Sequence, residues 1–324
     1  MEALMRWAED SFAVLQGWVF ENLVLPALYA AGFGGYAEQA FGATEFFLIG
    51  AMEVALLAII LGTLERKFPL ERQHNDADKR VDIIYTLLQR LGLVPLLLFF
   101  MLTPLVDALD GTLRMVDFIP PKLEDAWPAL NQSPLASFMV YLLILDFFAY
   151  WLHRLQHRFP WWWALHSLHH SQRQMSFWSD DRNHLLDDVL IDGLFALMAL
   201  LIGVPPAQFI TIVVATRVIE SLSHANLRLS FGRIGEYLLV SPRFHRMHHA
   251  IGVGHEGMYK GCNFAVLFPI WDKLFGTANF EMTYPSTGIR DQLDGRNYGI
   301  EFWTQQQLGC QRLWRSLRFA KSTL

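Results

Sequence analysis

Leu135-Ala-Ser-Phe-Met-Val-Tyr-Leu-Leu-Ile-Leu-Asp146-Phe-Phe-Ala-Tyr-Trp-Leu152 is an apolar run broken by a single acid, and it opens directly onto His153-Arg-Leu-Gln-His157. A run of this length and composition can cross a bilayer as a helix, which takes roughly 20 residues. Two further clusters follow, His166-Ser-Leu-His169-His170 and His245-Arg-Met-His248-His249. Positions i, i+3 and i+4 of a helix share a face, so each cluster aims its imidazoles in one direction. Of the 12 histidines, 11 fall between His153 and His255. The fold therefore turns on whether the remaining apolar segments bring these clusters to one side of a membrane.

Working outward, Phe46–Leu64 is a clear second span, interrupted by Glu53, and Ile83–Val106 is a third, carrying Arg90, Pro95 and Pro104. Val189–Leu222 reads as two short helices broken at Val204-Pro205-Pro206, a hairpin that dips in and returns. The run Phe12–Ala31 is ambiguous because Glu21 sits in it. It has neither a basic leader nor a clear cleavage site, so it does not read as a signal peptide. Composition agrees with a membrane protein. Hydrophobic residues make up 53% of the 324 and charged residues 18%, and mean hydropathy is +0.24. A soluble globule is nearer a quarter charged, so the composition argues against a free cytosolic enzyme and excludes a disordered chain. A net charge of −5 argues against a nucleic-acid partner, and two cysteines, Cys262 and Cys310, are too few for a thiolate cluster.

The loop Glu65–Asp82 carries Arg66, Lys67, Arg72, Lys79 and Arg80, whereas Asp107–Pro134 carries only Arg114 and Lys122. The positive-inside rule puts the first loop in the cytoplasm. The helix ending at Leu152 then delivers His153 and all later clusters to the cytoplasmic face. The expected architecture is all-α: about four transmembrane helices, with room for five or six, under a cytoplasmic helical cap that holds a histidine-rich dimetal site. Residues 1–134 are expected to be membrane helices and loops, 135–280 the catalytic core, and 281–324 a cytoplasmic tail. In that tail Phe302, Leu308, Leu313, Trp314 and Leu317 alternate with Arg312, Arg315, Arg318 and Lys321, as in an amphipathic helix on an anionic surface or on the protein's own cap.

Neutral imidazole binds iron, zinc, copper and nickel. The three clusters supply eight candidate ligands, which is too many for one ion and suits two. His224 follows the hairpin directly and lands near the clusters; His184 precedes it and reads as a ligand or as a donor beside one. His255 lies in a glycine-rich loop and reads as solvated or near a substrate mouth, and His74 in a charged loop carries no signal. Asp146 lies seven residues before His153 on the same helix face. A carboxylate in an apolar helix usually has a partner, and one that accepts the free N–H of a ligand histidine fixes its tautomer. Asp187 and Asp188 could do the same beside His184, and Glu53 and Glu220 more weakly. Structural zinc closes with four ligands, so this count favours two redox ions with open positions. Two Fe(II) ions could activate O2 and attack an unactivated C–H bond of a lipid, giving an alcohol or an alkene.

The motifs also carry a resemblance. Asp146-Phe-Phe-Ala-Tyr150-Trp151-Leu-His153-Arg154, Leu168-His169-His170-Ser171 and Ser241-Pro242-Arg-Phe-His245-Arg-Met-His248-His249 resemble the fatty acid hydroxylase/sterol desaturase superfamily of membrane di-iron enzymes. The closing stretch from Asn263 through Trp271, Asp272 and Phe275 to Gly276-Thr277 is similar to that family's last motif. The likeness spans roughly 135–280. It implies a helical cap holding two irons, with His153, His157, His166, His169, His170, His245, His248 and His249 as ligands and His224 and His184 completing the set. Some lipid hydroxylases of the family have a further histidine four residues after the hairpin's histidine; here it is Arg228. No haem or flavin module is recognisable, so electrons are expected from a separate donor protein or reductase. Two other classes stay open on the sequence: a zinc-dependent membrane lipid hydrolase, and a membrane metal or electron carrier without catalysis.

Overall fold

In the computed structural model, residues 2–72, 76–118 and 122–320 are described; His74 and Lys321 lie outside them. The described chain is helical, with no strand and only two isolated bridges, Pro69 to Leu227 and Ala250 to Thr287. Helix α1 (Glu2–Val19) passes through a wide turn at Phe20–Val24 into α2 (Leu25–Ala30), and α3 runs Ala37–Lys67. Acidic Glu38 in its first turn and Arg66 and Lys67 in its last complement the α3 dipole. Helices α4 (Asp76–Arg90) and α5 (Leu93–Met115) follow, then the short α6 (Leu123–Ala126). Helix α7 (Pro134–Arg158) leads to α8 (Pro160–His170). The hairpin is α9 (Leu185–Leu201) and α10 (Pro206–His224). The cap adds α11 (Gly232–Gly235), α12 (Pro242–His248), α13 (Ile270–Leu274) and a last helix, α14 (Phe302–Ala320).

Three stretches among the described residues are long and apolar enough to cross a bilayer: Arg6–Ala30, Gly34–Lys67 and Pro134–Arg158. Their large apolar side chains face outward, as with Trp18, Leu56, Ile59 and Leu135, which is where lipid would solvate them. The protein is an integral membrane protein. The ambiguous N-terminal run is thus one of the three candidate spans. Ile83–Val106 is not one helix: Gly92, at φ +82, ends α4 and starts α5, a conformation only glycine adopts without strain. Arg90 is held at that joint by Glu53 at 2.5 Å, Asp180 at 2.6 Å and Asp181 at 2.8 Å. Helix α3 crosses so closely there that a Cβ on Gly50 would lie 1.6 Å from the Arg90 carbonyl oxygen.

Local sequence sets each helix end near the histidines. Ser133 Oγ accepts from Ala136 N at 3.3 Å, and Pro134 occupies the first turn of α7. Helix α7 stops at Phe159, which is extended because a proline follows it, and Pro160 then starts α8. Gly203 at φ +66 and Pro205-Pro206 turn the hairpin as expected. Ser241 Oγ caps α12 by accepting from Phe244 N at 3.1 Å. The last helix packs along α8, with Arg312 Nε donating to the Ala164 carbonyl at 3.0 Å. Of the two surfaces open to it, the protein's own cap is covered on its inner side, while Trp303, Trp314 and Leu317 remain exposed on the outer.

Candidate metal centre

The ends of α7, α8, α10 and α12 converge, and nine imidazoles meet there in two adjoining groups. His153, His157, His166, His170 and His248 form one; His169, His224, His245 and His249 form the other. Within each group one ring nitrogen from every histidine lies within 4.8 Å of all the others, and all nine residues are buried. The rings of His170 and His249 stack at 4.3 Å across the border between the groups.

The outer nitrogens fix which way the lone pairs point. His153 Nδ1 donates to the Phe264 carbonyl at 2.8 Å, His157 Nδ1 to Lys260 at 3.1 Å and His248 Nδ1 to Cys262 at 2.8 Å. His224 Nδ1 donates to the Glu220 carbonyl at 2.8 Å, and His166 Nδ1 to Asp187 Oδ2 at 3.2 Å. A carbonyl can only accept, so these rings are protonated on Nδ1 and bare on Nε2. Yet Nε2 atoms face one another: His170 lies 3.1 Å from His157 and 3.3 Å from His166, and His245 lies 3.0 Å from His224 and 3.1 Å from His249. At most one N–H is available for two lone pairs at each junction. His153 Nε2 and His248 Nε2 are buried with no hydrogen-bond partner among the described residues. Inward-facing lone pairs this crowded are what a cation would satisfy, so the donor set fits one metal ion in each group. Burial, reinforced by the neighbouring imidazoles, pushes His169, His170, His245, His248 and His249 well below the usual histidine range. They are neutral and ready to coordinate.

Asp187 is where the sequence pointed, but against a different ring. It accepts from His166, from Gln156 Nε2 at 3.0 Å and from Trp162 Nε1 at 2.7 Å. Among the described residues Asp146 makes no hydrogen bond or ion pair with a histidine. Its carboxylate accepts from Leu267 N, Phe268 N and Trp271 Nε1 at 2.9, 3.1 and 2.8 Å. It bolts α7 to the loop whose carbonyls hold His153, His157 and His248, so it acts on the site through the backbone. His184 is not drawn into either group. Its Nδ1 accepts from Leu186 N at 3.2 Å, capping α9, and its Nε2 donates to the Gln306 carbonyl at 2.9 Å on α14; both nitrogens are engaged. His255 stands outside both groups with its ring 4.7 Å from His170, half-buried and donating to the Gly288 carbonyl at 3.0 Å.

The sequence offered no handle on the carbonyls of residues 260–264, because any residue type presents one. What organises that loop was visible, however: Asn263 Nδ2 donates to the Phe244 carbonyl at 2.9 Å, and Asp272 accepts from Phe264 N and Ala265 N at 2.8 Å each. A cavity of about 460 Å³ opens beneath the centre. His153, His169, His224 and His245 form its head, and Leu142, Phe195, Phe209 and Ile212 line its depth.

Residues 138–277 match the fatty acid hydroxylase family. The chain is 30% identical over 277 residues to the ornithine lipid hydroxylase OlsE of Rhizobium tropici, covering 83% of this chain and 78% of that one. It belongs to the fatty acid hydroxylase/sterol desaturase superfamily. The resemblance read from the motifs is thereby borne out, and the protein is an oxidoreductase of the lipid hydroxylase class. Other members of the superfamily match over less of their length. The alkylglycerol monooxygenase of Caenorhabditis elegans is 29% identical over 43% of this chain and 26% of its own. The fatty acid hydroxylase vlmA of a Lecanicillium species is 28% identical over 52% and 47%. No solved structure matches the chain.

Proposed function

We propose that this enzyme hydroxylates an unactivated C–H position of a membrane lipid at a centre of two iron ions on the cytoplasmic face. The observation that carries the reading is the meeting of nine imidazoles, their lone pairs turned inward, at the head of a cavity whose depth is apolar. His153, His157, His166, His170 and His248 would hold one ion, and His169, His224, His245 and His249 the other. When bound, two irons activate O2 so that one oxygen atom enters the C–H bond and the other leaves as water, with two electrons and two protons consumed.

The chain's own residues orient and shelter that chemistry. The carbonyls of Lys260, Cys262 and Phe264, with the Asp187 carboxylate, hold four rings with Nε2 inward. Leu142, Phe195, Phe209 and Ile212 keep water from the lipid's alkyl part. The group of five nitrogen donors exceeds what a four-coordinate zinc requires, which favours iron over a zinc hydrolase. Electrons would come from a separate protein or reductase. Charge supports the cytoplasmic side: Glu65, at the end of α3 beside Arg66 and Lys67, accepts from Phe177 N at 2.9 Å and Asn226 N at 2.8 Å. The basic end of α3 is thus tied to the level of the histidines. Relatives named for ornithine lipid and for alkylglycerol suggest a lipid with a polar headgroup as substrate.

Iron-loaded protein in detergent, given total bacterial lipid, a reductant and 18O-labelled O2, should yield a lipid that carries one labelled oxygen. Product that forms without O2, or takes its oxygen from labelled water, would instead mark a hydrolase.

A further inference from the structure

The histidine cap carries an apolar face that stays exposed among the described residues. Ile234 and Leu238, on α11 and the turn after it, are 78% and 64% exposed, and Leu274 on α13 is 63% exposed; Tyr237 and Ile270 stand beside them. The two segments adjoin. Lys273 Nζ lies 4.8 Å from the Tyr237 ring centre, and Tyr237 packs on Phe280 at 4.4 Å. Their charges are sorted by sign. Glu236 is buried, accepting from Arg243 Nη2 at 2.6 Å and from Ser241 Oγ at 2.7 Å. Asp272 is buried too, accepting from Phe264 N, Ala265 N and Thr277 Oγ1. Arg233 and Lys273 are exposed. Within residues 232–238 and 270–274, then, both acids point inward and both exposed charges are basic.

The depth of α13 says what this face meets. Its Trp271, with Leu267 N and Phe268 N just before it, is held by Asp146 in the middle of α7. At 1.5 Å per residue, Asp146 lies about 12 Å along the axis from Arg154, on the membrane side of that first arginine of α7. Helix α7 is long and apolar enough to span, and Leu135, Met139, Leu143 and Phe147 are exposed along it at i, i+4 spacing. Phe147 meets Trp271 at 4.9 Å and Phe275 at 6.2 Å. The lipid-facing stripe of the span therefore continues onto α13 and, through Lys273 and Tyr237, onto α11. Above it the Arg154 guanidinium lies 5.2 Å from the Trp151 ring centre and 5.3 Å from that of Tyr259. Aromatic rings and cations together are the composition of a membrane–water interface.

We infer that the face of α11 and α13 is sunk in the leaflet on the histidine side. Acyl chains lie against Ile234, Leu238, Ile270 and Leu274, and anionic headgroups against Arg233 and Lys273. The cap is then inserted beside the spans rather than held clear of the bilayer in water. A protein partner or a second copy would have to reach α13 below the level at which α7 enters hydrocarbon, whereas lipid is already there. The anchor also sets the height of the centre. The loop whose carbonyls hold His153, His157 and His248 is pinned by Asp272 of the embedded helix. The histidines thus sit at headgroup level with their cavity opening toward the acyl chains.

The test is collision of nitroxide labels with O2, which concentrates in hydrocarbon, and with a water-soluble nickel chelate. Full-length protein with Cys310→Ser, which leaves only the buried Cys262, carries Leu238→Cys or Leu274→Cys in nanodiscs of equal phosphatidylcholine and phosphatidylglycerol. Leu143→Cys on the span is the lipid reference and Asp294→Cys on the cap the water reference. Both labels on the face should match the Leu143 label, with an O2-to-nickel ratio about threefold or more above the Asp294 label. In phosphatidylcholine alone the ratio should fall at 238 and 274 but not at 143, and Arg233→Gln with Lys273→Gln should remove that dependence. Ratios equal to that of the Asp294 label would place the face in water and overturn the inference. Labels shielded from both colliders would show a protein surface seated there, a second copy or a partner, and would also overturn it. Ratios indifferent to phosphatidylglycerol would strike the headgroup contact. Far-ultraviolet circular dichroism checks that each variant is folded; Ile234→Cys and Ile270→Cys report on the same face should either label perturb it.

Discussion

Asp187 and Asp146 show how two carboxylates of similar burial do different work. Asp187 accepts directly from His166 and fixes which of its nitrogens faces the centre, whereas Asp146 holds a loop. Asp187→Asn should therefore lower metal affinity about 10–100-fold with little change in melting, as measured by titration of the metal-free protein; unchanged affinity would detach Asp187 from the site. Asp146→Asn loses one acceptor oxygen and leaves a buried N–H unpaired, which costs about 1–3 kcal/mol. Its expected signature is a lower melting temperature, with metal affinity reduced less than in Asp187→Asn. His169→Ala and His184→Ala make a matching pair: the first should lose an ion and all turnover, the second should keep both ions. At this scale the three histidine clusters were legible because i, i+3, i+4 spacing is a geometric statement. Asp146 was misread because spacing shows that it shares a face with His153 but not what stands opposite.

Among the elements, the hairpin and α14 carry most of what the sequence left open. Val204-Pro205-Pro206 announced the hairpin turn, and it is there. Gly92 ended α4 unannounced, since Ile83–Val106 is apolar on both sides of it and hydropathy does not register φ. His184 links α9 to α14, and Gly309 makes room for it: a Cβ at that position would lie 2.2 Å from the His184 ring. Gly309→Val should cost about 1–3 kcal/mol by overpacking and speed proteolysis within residues 302–320, while metal content is retained. Undiminished protease resistance would show that the α14 contact is not what seats that helix. Whether α14 lay on lipid or on the cap could not be read from its pattern, because the same apolar stripe suits either surface; Tyr85 and Ala164, which receive it, lie far away in sequence.

For the whole molecule, stability and pH are linked through the buried imidazoles. Below about pH 6.5 the unfolded chain's histidines take up protons, whereas His169, His170, His248 and His249 in the folded state do not, because burial holds them well down. Stability of the metal-free protein is therefore full above pH 6.5 and falls as pH drops below it, by about 1.4 kcal/mol per pH unit for each such histidine. Denaturant melts of metal-free protein across pH 7.5 to 5 should show that steep decline; a flat profile would mean that the rings are solvated. Four helix ends from distant parts of the chain carry this centre, so the whole fold depends on their meeting. Iron content per chain, measured with Mössbauer spectroscopy on 57Fe-loaded protein, tests that meeting most directly. Two irons per chain in the wild type and one in His249→Ala are expected. A single ion in the wild type, or two retained in the variant, would contradict a centre built from two imidazole groups.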